Sequence, residues 1–117
     1  MKMDIKQDKA EAFALRVINL YLGLKQQGET VLSKQLLRSG TSIGANIAES
    51  LYSESTGDMI HKLHISLKEA SETKYWLKLL FKSKFIEESY YLSLLSDCEE
   101  LIKILTSIIN SLKAKQK

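Results

Sequence analysis

The run from Gln35 to Ser50 constrains this chain more than any other stretch. Leu36, Ile43, Ile47 and Leu51 recur at helical spacing and, with Gly40, gather within roughly a quarter turn of a helical wheel. Gly40 and Gly44 stand four apart on that side, although each glycine costs a helix about 1 kcal/mol relative to alanine. An apolar stripe that tolerates this cost predicts a continuous helix whose bare face lets another backbone come close. Opposite lies a polar stripe of Arg38, Ser42 and Glu49, with Ala45 beside it and Asn46 at its edge. Arg38 and Glu49 are roughly 16 Å apart along the axis, too far to pair within one helix. A solvated surface, a protein contact in which these charges pair across subunits, and a ligand or RNA site all fit that stripe.

Three further helices follow from periods of three and four. The first is predicted over 9–26, opened by Asp8 and Glu11 at capping-box spacing and stopped at Gly28. Its apolar face is Phe13, Val17, Leu20, Tyr21 and Leu24. The second, just described, is predicted over 33–52 with Ser33 as N-cap, followed by a linker at 53–57. The third begins at Ser55 or Thr56 and reaches 82, with a stripe of Met59, Leu63, Leu67, Ala70, Leu77 and Phe81. The fourth spans 87–114. Its stripe is Tyr91, Leu94, Cys98, Leu101, Leu105, Ile108 and Leu112, widened by Leu95, Ile102 and Ile109 enough to touch two neighbours. No segment alternates as a strand would, and no proline interrupts a helix. Short connections make consecutive helices antiparallel, so the predicted fold is all-α, an up-down-up-down four-helix bundle forming one domain over 1–117.

Composition narrows the function. The net charge is +3, yet residues 62–86 hold six lysines against Glu69 and Glu72, and Lys113, Lys115 and Lys117 follow in the tail. Lysines near helix ends complement the dipole, and the same residues are the candidate nucleic-acid contacts. The set is Lys74, Lys78, Lys82 and Lys84 at the end of the third helix, and Lys113, Lys115 and Lys117 at the opposite pole. Lys74 falls on the core stripe, where its stem packs while its ammonium reaches the rim. The chain lacks an apolar run long enough for a membrane span and an apolar signal core, and its one cysteine fits a reducing compartment, so the expectation is cytoplasmic.

The signature of the second helix resembles that of the four-helix-bundle proteins encoded in intervening sequences of bacterial 23S rRNA genes. The matching residues are Gln35, Leu36, Arg38, Ser39, Ser42, Ile43, Asn46, Ile47, Ala48 and Glu49, with Ser66, Leu67 and Glu69 in the third helix. Ser50 stands where that family usually has glycine, and Thr30-Val31-Leu32 where it often has proline. The resemblance implies a homopentameric ring. It also implies kinship with the accessory variability proteins of diversity-generating retroelements, which bind reverse transcriptase and nucleic acid through a basic ring.

No catalytic or metal constellation emerges. Asp58, His61 and His64 give half of a carboxylate–histidine metal motif and lie off the core stripe, whereas a di-iron bundle needs two such motifs and two more carboxylates. Cys98 occupies an apolar position and reads as a small core residue. No Gly-x-Ser-x-Gly elbow or phosphate loop is present. Ile65, Trp76 and Leu79 lie off the third helix's core stripe and, with Arg38 and Glu49, are the predicted oligomer interface. The expected function is a non-enzymatic homo-oligomeric scaffold or adaptor without cofactor or metal. It would bind RNA or DNA weakly, or a nucleic-acid-processing protein. The alternative is a protein-interaction module with no nucleic-acid affinity.

Overall fold

A computed structural model describes residues 4–116. Four helices follow in order: α1 Ile5–Gln26, α2 Val31–Ser50, α3 Thr56–Lys82 and α4 Glu88–Lys115. Each packs against its sequence neighbour, and α4 closes on α1, so the four form a bundle. Val17 meets Gly40 while Ala10 meets Gly44, and Phe81 stacks on Tyr91 while Lys74 pairs with Glu99. These crossings make consecutive helices antiparallel. Both the α1–α2 and α3–α4 turns therefore sit at one pole, called here the turn pole.

The α1 N-terminus lies earlier than the capping-box spacing predicts. Asp4 is the N-cap, accepting from the Gln7 N–H, and Asp8 falls inside the first turn, where its charge suits the dipole. Ser33 is likewise no cap. It is buried on α2 and donates to the Glu29 carbonyl. The N-cap residue is Thr30, which makes no side-chain cap bond; Glu29 does that work, its carboxylate accepting from the N–H groups of Val31, Leu32 and Ser33. Burial would raise the Glu29 pKa, but hydrogen bonds from Leu32, Ser33 and Val31 outweigh it and hold the carboxyl below its ordinary value. At its far end α2 stops at Ser50, and Leu51, counted above in the core stripe, is 58% exposed.

The core joins Phe13, Val17 and Leu24 of α1, Leu36, Ile43 and Ile47 of α2, Leu63 and Leu77 of α3, and Leu94, Leu101 and Leu105 of α4. Removing one such side chain typically costs about 2–5 kcal/mol. α2 runs unbroken through both glycines. A Cβ at Gly40 would lie 3.0 Å from both Val17 methyl groups, and one at Gly44 would lie 3.4 Å from the Ala10 methyl. The Gln7 side-chain amide donates to the Gly44 carbonyl at 3.2 Å, which adds a polar tie to this close approach.

The buried face of α3 is rotated from the predicted stripe. Ile60, Ser66, Thr73 and Leu80 are buried with Leu63, Ala70 and Leu77, whereas Met59, Leu67 and Phe81 are only partly covered. The reason is two hydroxyls facing α2. Ser66 Oγ donates to the Ile43 carbonyl at 2.8 Å, and Thr73 Oγ1 lies 2.9 Å from Ser39 Oγ. Satisfied hydroxyls can be buried at little cost, and an apolar-only count misses them.

Two outcomes test this packing. Gly40→Leu should lower the unfolding free energy in urea by about 1–3 kcal/mol through overpacking against Val17. Glu29→Gln should cost about 0.5–1 kcal/mol at pH 7, because the charged carboxylate caps three N–H groups. The lowered folded-state pKa gives stability that is present above the unfolded value and lost as pH falls. The difference between the two proteins should therefore begin to shrink as pH falls toward about 4.3, the ordinary glutamate value, and go on shrinking below it.

Candidate functional site

The signature of α2 is spent mainly on holding α2 to its neighbours. Arg38 reaches across to α3, where its guanidinium contacts Glu69 at 3.2 Å and pairs with Glu72. Glu72 also accepts from the Trp76 indole N–H at 2.8 Å, so Arg38, Glu72 and Trp76 form one chain of contacts. Glu49 pairs with Lys62 on α3 at 3.2 Å. Both charges of the stripe, which cannot pair with each other along α2, thus find partners on α3 of the same chain. Each charge faces α3 from a different level of α2, which a wheel of α2 alone cannot display. Ser42 Oγ donates to the Arg38 carbonyl, and the Asn46 amide donates to the Ser42 carbonyl, both inside α2. Ile43 and Ile47 are fully buried.

Ile65, Trp76 and Leu79 are half-buried, and Trp76 packs against the core beside Tyr75, their rings 5.2 Å apart. Trp76 sits beside the Arg38–Glu72 pair, and none of the three is fully exposed. Two exposed apolar residues of α1 escaped the sequence reading. Leu15 is 57% exposed and Leu22 51%, seven residues apart and opposite the Phe13–Val17–Leu20–Leu24 face. The signal was present in the spacing, but attention to the core stripe alone passes over it.

The lysines divide into two groups. Lys74 pairs with Glu99 at 3.3 Å across α3–α4, so it is not a free cation. Lys9 pairs with Glu100 and Arg16 with Asp97, bracing α1 against α4. Lys78, Lys82 and Lys84 are exposed at the turn pole and have no carboxylate partner among the described residues. Lys25 and Lys34 lie toward that same pole on α1 and α2. Lys113 and Lys115 are exposed in the last turn of α4, at the opposite pole, and Lys117 lies outside the described residues. The lysines therefore do not form one continuous patch.

Cys98 is buried and its thiol donates to the Ala70 carbonyl at 3.3 Å. Burial is the main cause that pushes its pKa up to about 12. His61 and His64 are exposed on α3, while Asp58 accepts from the Glu54 N–H at the α3 start. Among the described residues no three His, Cys, Asp or Glu side chains are grouped to hold a metal ion, and no helix is long and apolar enough to cross a membrane.

This all-α arrangement, with a signature helix clamped between two partners, defines a class of small helical-bundle proteins. The chain belongs to the 23S rRNA-intervening sequence protein family, whose model matches residues 2–107. A crystal structure of a protein with unknown function from the S23 ribosomal protein family of Bacteroides thetaiotaomicron is similar to it. That structure superposes with a TM-score of 0.87 at 51% sequence identity, covering 89% of this chain and 97% of that one. No curated protein matches the chain.

The α2–α3 clamp and the buried thiol each yield a measurable outcome. In a double-mutant cycle of Arg38→Ala and Glu72→Gln, the coupling should be about 0.2–1 kcal/mol, as expected of a partly exposed pair. Trp76 fluorescence should shift with Glu72→Gln, because its indole partner changes. The raised Cys98 pKa gives stability that is full below the unfolded thiol value and lost as pH rises toward 12. From about pH 9 upward the wild type should therefore lose stability faster than Cys98→Ala, measured by urea unfolding.

Proposed function

We propose that this protein is a non-enzymatic homo-oligomeric scaffold of the cytoplasm that binds RNA or DNA weakly through its basic surfaces. The observation that carries the reading is the division of the charges. Arg16, Arg38, Lys62 and Lys74 are taken up by ion pairs within the chain, whereas Lys78, Lys82 and Lys84 crowd one pole without carboxylate partners among the described residues. Lysines free of internal partners can exchange counterions for phosphates. Cys98, the strongest nucleophile by residue type, is buried and held protonated, which supports a non-enzymatic role.

Self-association repeats this pole around a closed assembly, and the family resemblance favours a pentamer. Candidate contact residues are Arg38, Glu49, Ile65, Trp76 and Leu79 along the α2–α3 face. The exposure of Leu15 and Leu22 favours a second reading, in which the bundle binds proteins through α1 and has no affinity for nucleic acid.

Two measurements decide between them. Anisotropy titration of a structured RNA and a duplex DNA should give an affinity that falls at least about tenfold between 50 and 200 mM salt. No binding at the lower salt, with the assembly intact, favours the protein-interaction reading. Light scattering at micromolar concentration should find a closed oligomer, and a monomer would overturn the scaffold. Trp76→Asp, checked for helicity by circular dichroism, should disperse the assembly. An oligomer that survives it moves the contact to the Leu15–Leu22 face.

A further inference from the structure

Two residues at the turn pole break local rules: Gly23 lines a cleft there, and Lys84 directly precedes Phe85, which lines the same cleft. Gly23 lies in the interior of α1, where glycine weakens a helix. Gly40 and Gly44 are explained by the close approach of α1, but a Cβ at Gly23 would meet nothing within 4 Å. No packing contact demands its small size. Lys84 is the second. Both turns at this pole are closed by the same paired hydrogen bonds. Glu29 N–H reaches the Leu24 carbonyl and Gly28 N–H the Lys25 carbonyl; Phe85 N–H reaches the Leu80 carbonyl and Lys84 N–H the Phe81 carbonyl. The left-handed position is glycine in the first turn, Gly28 at φ 91°, and lysine in the second, Lys84 at φ 68°. A lysine there is strained where glycine would be at ease.

Beside Gly23 the slightest of the helix pairings, α1 with α4, opens into a cleft of about 350 Å³. Asn19 and Gly23 line it from α1, Gln27 from the cap that ends α1, and Phe85, Glu87 and Tyr90 from the α3–α4 turn and the start of α4. Phe85 is 39% exposed and Tyr90 36%. Arg16, anchored on Asp97 at 2.7 Å, holds its guanidinium 5.5 Å from the Tyr90 ring centre and so steadies that ring. Lys84 immediately precedes Phe85, and Lys82 is two residues further back.

We propose that the α1–α4 cleft at the turn pole receives one unpaired nucleotide of a single-stranded RNA. Its base would lie over the bare backbone of Gly23 against Phe85 and Tyr90, and its phosphate would meet Lys84 and Lys82. The missing Cβ lets a flat ring approach the helix. Two aromatic side chains offer faces for stacking, which bases of any identity can use. The Asn19 and Gln27 amides can bond a base edge. Glu87 is an acceptor, so it favours a base with an exocyclic amino group, cytosine over uracil. The basic turn preceding Phe85 supplies the complementary charge for the backbone. A duplex keeps its bases stacked and paired, and cannot present one to the cleft.

The proposal rests on the nucleic-acid reading above and is tested separately from it. Fluorescein-labelled oligo(C) and oligo(U) octamers, a mixed-sequence RNA duplex and free CMP are titrated onto the intact oligomer at about 50 mM salt. Oligo(C) should bind more tightly than oligo(U) and the duplex. Phe85→Ala should weaken oligo(C) by about five- to a hundredfold, as loss of one stacking partner does. The decisive variant is Gly23→Ala. It should raise the thermal midpoint by about 3–5 °C through helix propensity. Yet it should weaken oligo(C) roughly tenfold, because its methyl group occupies the space of the base. Lys84→Gly should relieve the turn and also weaken binding. Equal binding of octamers and duplex, unchanged by Gly23→Ala, overturns the cleft and leaves the basic-surface reading standing. Binding of CMP without the octamers overturns the assignment to RNA. No binding of any probe overturns both readings.

Discussion

The rest of the bundle depends on the contact between the bare face of α2 and α1. With no side chain at Gly40, Val17 sets both its methyl groups at the distance where a Cβ would crowd them, and Ala10 does the same less tightly at Gly44. α2 is thereby drawn close to α1 while its other flank is bonded to α3 through Ser66, Thr73, Arg38 and Glu49. Helices held this firmly on three successive contacts leave the fourth, between α1 and α4, as the looser closure. The cleft at the turn pole follows from that imbalance.

This gives the signature residues a physical reading. Ile43 and Ile47 fill the core beside Gly40, the position that sets the approach of α1, and Arg38 and Glu49 brace α2 against α3 through pairs that are partly exposed. Such pairs contribute little energy individually, but opposite charges at matched levels fix which residues of α3 face α2. A motif can thus be specific to a family because it fixes an arrangement of helices. Nucleic-acid contact then has to be sought elsewhere on the surface, and Lys78, Lys82 and Lys84, without carboxylate partners among the described residues, stand with the exposed Phe85 and Tyr90 at the turn pole.

Helix number, order and direction were legible in the sequence, because apolar spacing and short connections report them directly. So were the burial of Cys98 and the unbroken course of α2 through its glycines. The starts of α1 and α2 were misplaced because caps compete: Asp4 took the role assigned to Asp8, and Glu29 reached three N–H groups from outside the helix that Ser33 was expected to open. The face of α3 was misjudged because buried Ser66 and Thr73 find partners only in the folded bundle. The partners of Arg38 and Glu49, and the openness beside Gly23, depend on neighbouring helices and have no signature in a single helical wheel.

The central claim is that the α2 signature holds the fold while ligand contact belongs to the turn pole. The most direct measurement is amide chemical-shift mapping of the isotope-labelled protein as single-stranded RNA is added at low salt. The account predicts shifts confined to residues 19–27 and 82–90, with Arg38, Ser42, Asn46 and Glu49 unmoved. Shifts centred on the exposed side of α2, with the turn pole silent, would contradict it.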